Sequence, residues 1–184
     1  MRELTDALAA WMRVMAIERA LVVADSLGCQ IAVDLAVRYP SLTGPLILLG
    51  PTGDPAVRSV PHYIWRLLQD IPREPARLVI HQIPDYFRAG PRRIARTASQ
   101  MLHDPFIARA RTVCQPVLVV RGERDPIAPQ PWIKRLSELV PHGQHLTIPG
   151  VAHVVHYSAP DTLDAAIATF LGQRVEKTDE ETGG

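Results

Sequence analysis

Ser26, Asp125 and His153 each sit just after a short apolar run, and their side chains have complementary chemistry. A serine hydroxyl attacks well only when a base takes its proton. Histidine is that base near neutral pH, and a carboxylate on its other ring nitrogen orients the ring and stabilises its charged form. Ser26 lies in Ala24-Asp25-Ser26-Leu27-Gly28, directly after the apolar run that starts at Ala20 and directly before Ile31, Ala32, Leu35 and Ala36 at helical spacing. Small residues two before and two after the serine let a strand turn sharply into a helix and lift the hydroxyl clear of the sheet edge. Taken alone, a serine at a helix start is more often an N-cap, and an aspartate such as Asp125, in Gly122-Glu123-Arg124-Asp125-Pro126, is usually a turn-former. His153 follows the next apolar run in Pro149-Gly150-Val151-Ala152-His153. All three then fall on the C-terminal edge of a parallel sheet, where such sheets bind ligands.

Other reactive side chains carry plainer readings. Cys29 directly follows the turn and reads as a small buried packing residue. His156 with His153, and His142 with His145, have a metal-like spacing, but neither pair has a third ligand at matching distance, and no metal is expected. Arg88, Arg92, Arg93, Arg96, Arg109 and Arg111 cluster in one interval and read as a solvated helix face ahead of an anion site.

The elements that must position these residues follow from periodicity. Leu4, Ala7, Leu8, Trp11, Met12 and Met15 predict an amphipathic helix over 3–16. Short apolar runs predict strands at 20–24, 45–49, 116–120 and 144–148, with helices at 27–38, 129–139 and 160–171 between or after them. The helix at 27–38 should stop before Pro40, because a residue ahead of proline is pushed out of helical geometry. Strands alternating with helices imply right-handed crossovers and a parallel sheet, hence the α/β class. Residues 51–113 break the alternation, with no strand-like run and several proline-punctuated helical stretches, and read as a helical insertion.

Composition narrows the function. The 184 residues fit one domain with a real core, and a formal net charge of +1 gives no electrostatic case for nucleic acid or an anionic membrane surface. A small-molecule substrate is the expected partner. Two distant cysteines offer no disulfide framework, no run reaches membrane-spanning length, and no signal-peptide pattern opens the chain, so a cytoplasmic setting is expected. The charged, glycine-ended stretch at 173–184 is expected to be a disordered tail.

Three motifs in register carry a family resemblance. ADSLGCQIAVDLAVRYP resembles the nucleophile strand and helix of the α/β-hydrolases, GERDPIAP their acid loop, and GVAHVVHYSAP their histidine loop; Ser, then Asp, then His is also their chain order. Ala24 stands where the family places its first elbow glycine. The resemblance is greatest to the esterase, carbon–carbon bond hydrolase and haloperoxidase-like members. It implies a partial core at 1–50 and 114–172 and a helical cap at 51–113. It implies Ser26 as nucleophile, His153 as base and Asp125 as its partner, with the Leu27 backbone N–H as one oxyanion donor and no cofactor.

A complete member carries about four further strands ahead of the helix at 3–16, and one loop among them supplies the second oxyanion N–H. Read so, the chain is a truncated, C-terminal part of the fold. The strand at 20–24 becomes an exposed edge through which a second copy or another partner is expected to pair. Two functions follow: a serine hydrolase of esters, thioesters or related carbonyl compounds, or a catalytically inactive remnant serving as a binding module.

Overall fold

The computed structural model describes residues 1–182, with side chains through residue 173. In chain order the elements are α1 (Arg2–Val14), β1 (Ala20–Asp25), α2 (Gly28–Arg38), β2 (Thr43–Leu49), α3 (Val60–Asp70), α4 (Ala76–Ala89), α5 (Pro91–Leu102), α6 (Phe106–Ala110), β3 (Val117–Gly122), α7 (Gln130–Leu139), β4 (Gly143–Ile148), α8 (Val155–Ser158) and α9 (Pro160–Thr182). The four strands pair in parallel in the order β1-β2-β3-β4, so the three loops leaving β1, β3 and β4 open on one edge. Helix α9 continues as backbone to Thr182 through the tail expected to be disordered, while residues 183 and 184 lie outside the described residues.

Period-two alternation in the middle strands builds two apolar layers. Leu46 and Leu48 of β2, with Val117 and Val119 of β3, pack on one face against α2, α6 and α7 through Val33, Phe106, Trp132 and Ile133. Ile47, Leu49, Leu118 and Val120 point to the opposite face, where Val155, Leu163 and Phe170 of α8 and α9 cover them. Strand β1 is covered on one side only. Val22 and Ala24 pack inward, whereas Leu21 is 40% and Val23 50% exposed, so the edge anticipated from sequence is open to solvent on one face. Helix α1 sets Ala9 and Met12 against Leu35 and Leu42, which places it beside α2.

Between β2 and β3 the chain is helical, with no strand among the described residues of that interval. Ser59 caps α3, its side chain accepting the N–H of His62. Arg109 departs from the solvated reading of its neighbours. Its guanidinium pairs with the buried Asp34 of α2 and with Asp104, fastening α6 to the core. No helix among the described residues is long and apolar enough to cross a membrane.

Candidate active site

Ser26 is the hinge between β1 and α2. Its φ of +52° lies in the left-handed region, which costs a non-glycine residue on the order of 1–3 kcal/mol and marks an enforced turn. The Ser26 N–H donates to the Leu49 carbonyl at 2.8 Å, so β2 holds the turn in place. Ala24 fits where a glycine was expected: a Cβ added at Gly28 would stand 3.8 Å from the Ala24 methyl, an ordinary contact. Leu27 follows at the N-terminus of α2, where backbone N–H groups and the helix dipole favour negative charge. Cys29 is buried beneath, its thiol directed at the Ala24 and Leu49 carbonyls; burial pushes its pKa well up and keeps it a packing residue.

Asp125 is 3% exposed, and its loop is built to receive a charge. One carboxylate oxygen, Oδ1, accepts the N–H groups of Ile127 (2.7 Å) and Ala128 (3.0 Å), and the other, Oδ2, is 2.8 Å from His153 Nδ1. Burial would raise this carboxyl's pKa, but His153 and the two N–H donors outweigh it and hold it below the usual range. Arg121 lies under the loop, its guanidinium donating to the Ala128, Glu123 and Asp125 carbonyls.

His153 is 5% exposed, and its Nε2 has no hydrogen-bond partner. Burial opposes the charged ring, yet Asp125, Asp25 and Asp70 together push it up to about 9. Ser26 and His153 line the same cavity of about 450 Å³, but no hydrogen bond joins their side chains, and Tyr63 of α3 lines the cavity beside them. Catalytic hydrogen bonds often close only once substrate is bound. His156 stands aside, half exposed and 3.8 Å from Asp25.

Several residues of this site carried no signal in the sequence. Gly50, just past β2 with φ +49°, leaves room for the pair: a Cβ there would lie 2.7 Å from the His153 ring and 3.1 Å from Asp125 Oδ2. Gly50→Ala is expected to displace the ring and lower hydrolysis about a hundred-fold while leaving Ser26 in place. A crystal structure of the variant with the His153–Asp125 contact unchanged would contradict this. Asp70, at the end of α3, lines the same cavity, and burial pushes it up to about 7. Burial likewise lifts Tyr63 to about 12, so its hydroxyl stays protonated across the neutral range. Among the described residues no cluster of three His, Cys, Asp or Glu side chains could hold a metal ion.

Comparison with known proteins identifies the fold. The family model described as TAP-like protein, of the α/β-hydrolase group, matches residues 97–182. A meta-cleavage product hydrolase from Pseudomonas fluorescens superposes with a TM-score of 0.70 at 20% identity, over 92% of this chain and 71% of that one. This chain has the α/β-hydrolase fold. An N-acyl homoserine lactone degrading enzyme superposes on this chain with a TM-score of 0.76 at 18% identity, covering 91% of this chain and 73% of the other. A 2-(acetamidomethylene)succinate hydrolase of Mesorhizobium japonicum is 24% identical over 90% of this chain and 69% of its own length. These relatives are hydrolases, and the strands and flanking helices of this chain match the C-terminal part of their fold.

Proposed function

We propose that the chain is a serine hydrolase acting on an ester, thioester or related carbonyl compound through Ser26, His153 and Asp125. The observation that carries this reading is the buried His153–Asp125 pair at 2.8 Å, whose Nε2 is left without a partner, on a residue that lines the same cavity as Ser26. In the reaction, neutral His153 takes the Ser26 proton as the Ser26 oxygen attacks the carbonyl carbon. Asp125 stabilises the resulting imidazolium, and the Leu27 N–H donates to the oxyanion. The imidazolium then returns its proton to the leaving group, and water, activated by the same ring, releases the acyl group from Ser26. The helices at 51–113 act as the cap over this cavity, their Leu67, Ile94 and Met101 giving it an apolar wall.

A catalytically inactive binding module of the same fold is the second reading, favoured by the His153 Nε2 having no hydrogen bond to Ser26. A panel of p-nitrophenyl esters and thioesters separates the two, since only the hydrolase turns any of them over. The pH profile adds a sharper test. The base must be neutral, and His153 is held up to about 9, so kcat/KM is expected to climb roughly tenfold per pH unit below that value and level off above it. A profile already flat between pH 7 and 9 would contradict the charge assigned to His153.

A further inference from the structure

One carboxylate reaches from the helical cap to the loop that carries His153, and a second stands beside it. Glu74 directly follows the short 3-10 turn after α3; it is buried, and its Oε1 accepts the N–H of Val154 at 2.7 Å, across 80 residues of chain. Asp70, the last residue of α3, is also buried and lines the cavity with Ser26 and His153. The Glu74 N–H donates to the Asp70 carbonyl at 3.2 Å, so the two acids sit on one turn.

Burying two carboxylates is costly, and here it is not repaid in full: Asp70 Oδ1 and Glu74 Oε2 are buried without a partner. Apolar side chains would pack the same space more cheaply. What Glu74 supplies that an apolar group cannot is a charge-assisted anchor on the backbone beside the base. The Arg124 N–H to Val151 carbonyl bond and the Asp125 carboxylate tie the His153 loop and ring to the acid loop, whereas Glu74 ties the loop to the cap.

We propose that Glu74 is a positioning residue for His153, holding the adjoining Val154 backbone to the cap so that the base is seated over the Ser26 cavity only when the cap is in place, with Asp70 on the same turn adding negative charge beside it. This rests on the reading of His153 as the base. It implies that substrate contacts which move α3 also move the base, and that the cap takes part in catalysis beyond walling the cavity.

The charged and titratable groups facing His153 come from every element around it: Asp125 from the loop after β3, Asp25 from β1, Asp70 from α3 and Glu74 from the turn. Tyr63 on α3 lies beside Ser26, and His156 on α8 faces Asp25. Asp70→Asn keeps the shape of the side chain but removes one of the negative charges that favour the imidazolium.

The test combines three variants on the full chain, read with a p-nitrophenyl ester and a fluorophosphonate probe. Glu74→Ala is expected to lower kcat about a hundred-fold with KM changed less than about threefold, and Glu74→Gln, which keeps an acceptor, to recover most of that loss. Asp70→Asn is expected to move the acid limb of the kcat/KM profile to lower pH by roughly half a unit. A purely structural anchor would lower Tm in Glu74→Ala yet leave kcat and the pH limb where they are, and that result overturns the proposal. If Glu74→Ala fails to fold, the Asp70→Asn limb decides. Labelling that is lost in Ser26→Ala while Glu74→Ala labels at the parent rate overturns only this inference. Labelling that persists in Ser26→Ala overturns the base and nucleophile assignment and this proposal with it.

Discussion

Ser26→Ala is expected to lower hydrolysis of a short p-nitrophenyl ester by on the order of 10⁴-fold or more, with little change in fold. The expectation follows from position. Ser26 is the residue forced to φ +52° between β1 and α2, and it lines the same cavity as His153, whose Nε2 has no partner. Alanine accepts the same backbone at similar strain, so Tm should stay within a few degrees of the parent while the nucleophile is gone. Turnover within about tenfold of the parent would remove Ser26 from the chemistry.

Asp125→Asn is expected to cost a comparable factor, on the order of 10⁴ in kcat, for a different reason. Oδ1 of Asp125 is committed to the Ile127 and Ala128 N–H groups, so an asparagine would keep its carbonyl there and turn its NH₂ toward His153 Nδ1. An NH₂ at that place can only donate. Nδ1 must then accept, the ring proton moves to Nε2, and the nitrogen that should take the serine proton already carries one. Raising the pH cannot repair a wrong tautomer. The loss should therefore persist from pH 7 to 10, whereas the parent gains activity over the same interval. An Asp125→Asn protein that recovers at high pH would show that Asp125 acts only as a distant charge.

The parts of this fold legible in the sequence are those with local causes. Proline and glycine punctuation placed all four strands within a few residues, and β2 and β3 were clearest because a parallel strand buried on both faces has no room for polar alternation. Helix α2 ends at Arg38, two residues before Pro40, as the proline requires. Ser26, Asp125 and His153 were legible because each is tied to a strand end, and strand ends in a parallel sheet share an edge. Asp70, Glu74, Gly50 and Arg121 were not. Glu74 meets Val154 across 80 positions, and Gly50 matters only because a ring from another loop fills the space where its Cβ would be. Arg121 reads as one more charge after an apolar run until its guanidinium is seen tying together the carbonyls of the acid loop. Such residues answer to the tertiary neighbour, which leaves no periodicity in the chain. Arg109 was misleading for the same reason, since its ion pairs to Asp34 and Asp104 exist only once α6 is folded onto α2.

The most direct measurement is to treat the protein with a fluorophosphonate probe near pH 9 and map the adduct by peptide mass spectrometry. A probe of this kind demands little pocket and asks only for an activated serine. The expected result is a single adduct on Ser26, reduced in Asp125→Asn and absent in Ser26→Ala. An adduct on another residue, or a wild-type protein that takes up no probe while correctly folded, would contradict Ser26 as the nucleophile of a working hydrolase.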